Sequence, residues 1–515
     1  MNSPGLSDRR TNGHMQLPTL ASEKLGAPPN GNIHNGRSTS PFKKALNSHW
    51  VQKDRVDYAR LRQNLNARVL LHYLGRFLYQ LIPSFVQSRL SRDAGKPEKI
   101  HPTAYLDGMR GLAAFAVFLC HLSYGTWTIT WGFGAGNPGE NTWLIQLPII
   151  RLFYSGPPMV SIFFVISGYA LSYKPLKQMR AKQYDGLLAT LSSSVLRRPI
   201  RLFLPCMAST FLVACMAQLG FYEATNGFAH SMRGVYEEHP PTFPDPWTQF
   251  VDWCYKMFDF VNCFNWFIFA GSVDLDRHLW TIPCEFRASM VLFLTHFMIA
   301  RMQTLIRMAT ILGLIYWGMQ WDRWEVCLFW SGCLLAEVDQ IRLARESATP
   351  PATFHPEVNK KSMRSDRSWK AFWYLNFVVA LFLASYPDSA GEETPGFMYL
   401  STWIPWYYSE KYRFWQCFAA VQIVWTVNHC DDLKRPFNSP VVLYLGKISY
   451  AIYLMHGPVI HTFGYTVGQT RAGPWVSHSA NVYYRCFPGC TRRRVSNHGG
   501  TWRWASSSPA VSSFP

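Results

Sequence analysis

Apolar windows of membrane-crossing length, separated by polar breaks, recur through the middle of this chain. They begin near residues 105, 157, 202, 280, 304, 325, 371, 412 and 441. A helix needs about 20 predominantly apolar residues to cross a bilayer, and each window approaches that length with few charges. The pattern predicts an all-α polytopic membrane protein with about nine transmembrane helices, its membrane domain covering residues 101–465. Residues 1–54 are polar and rich in Gly, Pro, Asn and Ser, which predicts a disordered cytosolic tail with no cleavable signal peptide. Residues 55–100 open with RVDYARLRQNLNARVLLHYLGRFLYQLIPSFV, basic and partly amphipathic, as suits a helix lying on the cytosolic membrane surface. Residues 466–515 break the pattern, with no apolar window and no clear period. A frameshift or retained intron would produce such an anomalous tail. An authentic disordered tail is the alternative, although Trp, Cys and Tyr are unusual in one.

Charge adds direction to this picture. The 515 residues carry a formal net charge of +19, but the surplus is unevenly spread. Basic residues crowd the region before residue 100, a loop expected at 174–201 and another at 342–370, polar and flexible. The alternate loops are uncharged or acidic, as in YEEHPPTFPDPW and YPDSAGEETPG. Such alternation is the positive-inside pattern of a cytosolic N-terminus. The charge therefore points to anionic lipid and phosphate contacts, not to nucleic acid. The longest insertion, 221–279, falls on the lumenal or extracellular side, where an acceptor could enter. No inverted repeat of the transporter type is visible. Several of the twelve cysteines fall within spans and read as small apolar residues; Cys254 and Cys263 share one loop and could pair. Cys486 and Cys490 have no second pair or histidine at zinc spacing, so no metal site is expected.

The candidate chemistry begins in the first window. Arg110 and His121 are eleven residues apart, which places them on one helix face roughly 16 Å from each other, about half the hydrocarbon core. Ionisable groups at that depth are costly and tend to line pathways or active sites. Further segments follow in order: Ser167-Gly168-Tyr169 in the second window, Arg198-Pro-Ile-Arg201 before the third, and His278, Trp280 and Glu285 entering the fourth. A late segment holds Tyr450, Tyr453 and His456. A neutral imidazole can accept a hydroxyl proton near neutral pH, so His121 suits a general base; a transient acyl-histidine is the other option. Guanidinium forks match phosphate oxygens, which fits Arg110, Arg198 and Arg201 to a phosphorylated donor near the cytosolic face; plain positive-inside anchoring is the alternative for Arg198 and Arg201. Glu285 must be paired to sit in an apolar span, for example with Arg287, and is a candidate for the reaction itself. Tyr169 and Trp280 could stack on adenine or line a tunnel, or simply pack. His278, Tyr453 and His456 are candidates for substrate contact, with interfacial or structural roles as the bland readings.

Taken together, these motifs resemble the acyltransferase 3 family of multi-pass membrane acyltransferases, in a fungal-type form. The opening Asp107-Gly-Met-Arg110-Gly, Arg-x10-His, FFVISGY, Arg198-x-x-Arg201 and SYAIYLMH stand in order across roughly residues 105–460. The resemblance implies an integral membrane O-acyltransferase. It would move an acyl group, usually acetyl from acetyl-CoA, to a hydroxyl of a carbohydrate, lipid or small metabolite, with no metal. It also implies about ten spans, the last lost where the anomalous tail begins. Acyl-CoA, a hydroxyl acceptor and the lipid bilayer are the expected partners, in an endomembrane or the plasma membrane. The rival expectation is a transporter or exporter of a glycan or metabolite, with the same buried charges lining its path.

Overall fold

The computed structural model describes residues 75–76, 101–231, 234, 237–264, 273–348 and 356–468. The expectations for residues 1–54, for nearly all of 55–100 and for the tail from 469 onward lie outside the described residues, as does the Cys486–Cys490 pair. Every apolar window coincides with a helix. In chain order these are α1 (Ala104–Thr126), α2 (Gly156–Arg180), α3 (Tyr184–Gln218), two loop helices α4 (Glu223–Ser231) and α5 (Pro246–Val261), then α6 (Thr281–Ile299), α7 (Thr304–Gln320), α8 (Trp324–Ala348), α9 (Pro356–Ala384), α10 (Lys411–His429) and α11 (Pro440–Val459). Among the described residues there are only isolated β-bridges and no strand. Four segments, namely α1, α2, α3 and Arg277–Ile299, are long and apolar enough to cross a membrane by length and composition. The 17 residues of α7 fall short of the ~20 that a bilayer asks for.

Two expected loops prove to be helix. Within 174–201 only residues 181–183 lie outside α2 and α3. Within 342–370, the stretch to Ala348 belongs to α8 and the stretch from Pro356 to α9. Polar residues end an apolar window on a hydropathy trace, but Lys, Arg, Gln and Glu are good helix formers and carry the helix on past the apolar boundary. Cys254 and Cys263 are not bonded to each other; both are free thiols, the first exposed and the second buried.

Helix packing explains the glycines in the motifs. A Cβ on Gly111 would lie 2.2 Å from the backbone nitrogen of Gly446, so α1 and α11 meet backbone to backbone. Gly168 and Gly332 do the same for α2 and α8, each facing the other helix's main chain at 2.3 Å or less. Small residues allow such approach, and van der Waals contact then replaces the hydrophobic drive that lipid cannot supply. The main core gathers around α2, α6, α8 and α10, with Val165, Leu176, Ala288, Phe329 and Val424 fully buried or nearly so. In contrast Leu188, Leu196, Ile200 and Leu204 leave an exposed apolar stripe along α3 at eight- and four-residue spacing, as a lipid-facing helix would. Asp245 caps α5 by accepting from the Thr248 backbone N–H at 2.9 Å, with Pro246 at the first helical position.

Candidate active site

The far end of α1 from Arg110 carries His121, and there the structure assembles a cluster from three distant parts of the chain. His121 Nδ1 lies 3.2 Å from Glu237 Oε1. Oε2 of the same carboxylate is 3.2 Å from His461 Nε2 and 3.1 Å from His278 Nε2. His278 in turn donates through Nδ1 to Asp276 Oδ1 at 2.9 Å. His456 donates through Nδ1 to its own helix, at the Tyr453 carbonyl 2.7 Å away. The rings of His121 and His278 meet edge to face at 4.0 Å, and His456 stands 4.6 Å from His278 and 5.2 Å from His121. A carboxylate can only accept, so the nitrogen that His121 offers Glu237 carries the proton. Nε2 of a neutral His121 is then left with its lone pair.

Glu237 lies in the loop between the membrane helices. Burial alone would raise its carboxyl, but the hydrogen bonds from His121 and His461 and the close His278 imidazole outweigh it and hold the group well below the usual carboxylate range. It is thus an anion at neutral pH, and it orients His121 and His461 while lying against His278. His278, His456 and Asp276 are each less than 7% exposed. The three rings of His121, His278 and His456 place ligand atoms within 4.8 Å of one another, a grouping that could hold a metal ion.

Toward the other end of α1 lies a cavity of about 50 Å³ bordered by Arg110, Val117, Phe163, Thr281, Glu285 and Tyr453. Glu285 pairs with Arg198 at 2.8 Å and accepts from the Ser167 hydroxyl at 3.0 Å. The expected alternative partner, Arg287, is instead bound to Glu325 at 2.9 Å, because it points to the opposite flank of α6, toward α8. Two residues along a helix are turned about 200° apart, so Glu285 and Arg287 cannot share a face. Arg110 stands 5.9 Å from the Phe163 ring centre, and the charges of Arg110 and Arg201 are both felt at Arg198. Tyr453 bridges the two regions: it lines the cavity, and its hydroxyl donates to the His278 carbonyl at 2.6 Å.

Two sequence candidates do not join this assembly. Tyr169 is buried at 3% exposure and donates to Asp339 at 2.7 Å, in a network that continues through Asn428 to Tyr105. That network ties α2 to α8, α10 and α1. Trp280 faces a separate chamber of about 600 Å³, walled also by Trp321, Trp324, Arg277 and Arg413. His278 and Trp280 are two positions apart in a 3-10 turn, which sends them to different sides. Conversely, sequence reasoning missed Glu237, Asp276 and His461. The Asp276-Arg-His278 spacing was a readable signal, since Asp276 also caps the turn by accepting from the His278 N–H at 3.1 Å. His461 was hidden by its five-residue spacing from His456, which a regular α-helix would turn about 140° away. A π-helical turn, Ile460–Gly464, carries it to Glu237.

Comparison with known proteins shows the family of the chain. The family Acyl_transf_3, described as an acyltransferase domain, matches residues 103–481. The chain is 33% identical over 413 residues to the O-acetyltransferase PaAT-1 of Phomopsis amygdali, covering 76% of this chain and 77% of that one. It is 28% identical to acyltransferase clz18 of Cochliobolus lunatus, over 70% of this chain and 83% of the relative. Acyltransferase R4 of a Phoma strain is also 28% identical, over 72% and 85%. No solved structure matches.

Proposed function

From the premise that this chain belongs to the acyltransferase 3 family, we propose that it is a multi-pass membrane O-acyltransferase that moves acetyl, or another short acyl group, from acyl-CoA to an acceptor hydroxyl. The observation that carries the reading is the contact of His121 with Glu237. It sets the imidazole tautomer and orientation as a carboxylate does in a hydrolase triad. His121 Nε2 takes the acceptor hydroxyl proton as the oxygen attacks the thioester carbonyl. The new C–O bond forms, the C–S bond breaks, and the departing CoA thiolate receives the proton back from His121. Glu237 remains ionised throughout and stabilises the imidazolium that forms in between.

Donor binding falls at the other end of α1. Arg110, Arg198 and Arg201 suit the phosphates of CoA, and Tyr453 links the cavity beside Glu285 to the turn that carries His278. Glu285 holds Arg198 in place, which makes it a positioning residue for the donor. In a cell membrane with the basic helix ends facing the cytosol, the donor enters from that side and the acceptor from the side of Glu237. All nine membrane-domain helices cross in this arrangement. The 600 Å³ chamber around Trp280 is large enough for part of an acceptor skeleton, and it shares Arg277 with the crevice outside His278.

Label transfer from radiolabelled acetyl-CoA tests the proposal, in membranes bearing the full chain and with host metabolites as acceptors. Transfer that vanishes in His121→Ala at equal protein level supports it. Acceptor uptake or export with no acyl-CoA consumed would favour the transporter reading instead.

A further inference from the structure

We propose that the imidazoles of His121, His278 and His456 form a binding site for a zinc-like divalent cation, and that the bound cation reversibly inhibits the enzyme. The inhibitory half rests on the functional reading above; the binding half does not. The argument starts from nitrogen lone pairs. His456 Nδ1 donates to the Tyr453 carbonyl, which can only accept, so the lone pair of its neutral ring lies on Nε2. That nitrogen is buried with no hydrogen-bond partner. His278 repeats the arrangement: Nδ1 is taken by Asp276. Its Nε2 is buried without a hydrogen bond, 3.1 Å from Glu237 Oε2, and a cation bound there displaces the proton that the two flanking carboxylates favour. His121 is held by Glu237 at Nδ1, and a ring nitrogen of His121 lies within 4.8 Å of the ligand atoms of the other two rings. Two rings are therefore anchored at the far nitrogen by a carboxylate or carbonyl, which is how metal-binding histidines are oriented.

Charge and chemistry favour the same occupant. Glu237 and Asp276 are half-buried and buried carboxylates beside these rings, and their charge favours a bound cation. Three imidazoles suit zinc, copper or cobalt over magnesium or calcium, which prefer all-oxygen sites. Tetrahedral zinc with bonds of about 2.0–2.1 Å holds its ligands ~3.4 Å apart. The 4.8 Å spread of the present atoms closes onto that by small ring rotations. The same lone pair of His121 that accepts the acceptor's proton would be bound to the cation, so occupancy and catalysis exclude each other.

The test uses the full chain purified in detergent, stripped with a chelator and titrated with Zn2+, with Co2+ as a spectroscopic probe. One bound Zn2+ per chain, and the intense visible absorption of tetrahedral Co2+, are expected. His456→Gln should abolish both, while Asp276→Asn, which keeps all ligands, should weaken binding roughly 10–100-fold. Size-exclusion profiles of the variants confirm that they remain folded. A wild-type chain that binds no Zn2+, or Zn2+ retained unchanged in both variants, overturns the site. Acyl transfer by the stripped enzyme should fall with Zn2+ at the occupancy midpoint and return with chelator. Transfer indifferent to a bound cation, or dependent on it, overturns the inhibition while leaving the site. A chain that binds Zn2+ as expected but never transfers acyl groups counts against the acyltransferase reading and leaves the site standing.

Discussion

Glu237 uses two oxygens to hold three imidazoles, so its removal should reach the reaction through His121. General-base catalysis contributes about 10²–10⁴-fold, and His121→Ala should lose acyl transfer by that factor. Glu237→Gln should lose ~10²-fold or more, with the donor KM little changed. The double variant should be hardly worse than His121→Ala, because the two residues act as one unit. A kcat and KM series on the four enzymes checks this. The Glu237 carboxyl is held below its ordinary value in the folded state, so its stabilising contribution is complete above the unfolded carboxylate range and fades only as pH falls toward the folded value. The difference in thermal midpoint between wild type and Glu237→Gln should therefore not shrink between about pH 8 and pH 5. On the donor side, Glu285→Gln leaves Arg198 without its anion in a largely buried place. That should cost about 3 kcal/mol of stability and raise the donor KM; Arg198→Gln in the same background should recover part of the stability but not the KM.

At the scale of elements, glycine contacts hold the site as firmly as the polar groups do. A Cβ on Gly457 would sit 2.7 Å from His278 Nδ1 and 3.1 Å from Asp276 Oδ1. Gly457→Ala must therefore push α11 away from the turn that carries His278. Transfer should drop at least tenfold while the protein still inserts and folds, since only this contact is strained. Gly168→Val differs, because its neighbour is the Phe329 main chain, which cannot yield. Overpacking of this kind costs about 1–3 kcal/mol or more, and the readout is lost thermal stability and yield. The π-helical turn after α11 belongs to the same account, for it is what brings a histidine on the wrong helical face to Glu237.

For the whole molecule, the two ends of α1 separate two chemistries: arginines at one end, the carboxylate-bound histidines at the other. Orientation in the membrane then decides which compartment supplies which substrate. Cys254 is the exposed thiol of the loop helix α5, on the insertion that also carries Glu237. With a cytosolic N-terminus, a membrane-impermeant maleimide should label Cys254 in cells or sealed vesicles only from the non-cytosolic side, as mapped by peptide mass spectrometry. Labelling from the cytosolic side would reverse the assignment of donor and acceptor entrances.

Hydropathy alone located the long helices, though not the loop helices α4 and α5, because a segment suited to lipid must satisfy its backbone internally and so declares itself as an apolar run. The Arg110–His121 stripe was equally legible, since helical periodicity places both on one face without reference to any other part of the chain. His278, Tyr453 and His456 could be singled out as polar groups in apolar surroundings. Their gathering around His121 could not, because nothing local says which helices meet. Helix lengths were misjudged at 174–201 and 342–370, where apolar character ends before the hydrogen-bonded backbone does. Tyr169 looked like a ligand-binding aromatic, yet packing sends it into a buried network, while Trp280 lines a chamber apart from the histidines. Glu237 was invisible for the most basic reason. An acidic residue in a polar loop is ordinary in sequence, and it becomes the centre of a site only when the fold lays that loop over three histidines drawn from α1, the turn before α6 and the π-helical turn after α11.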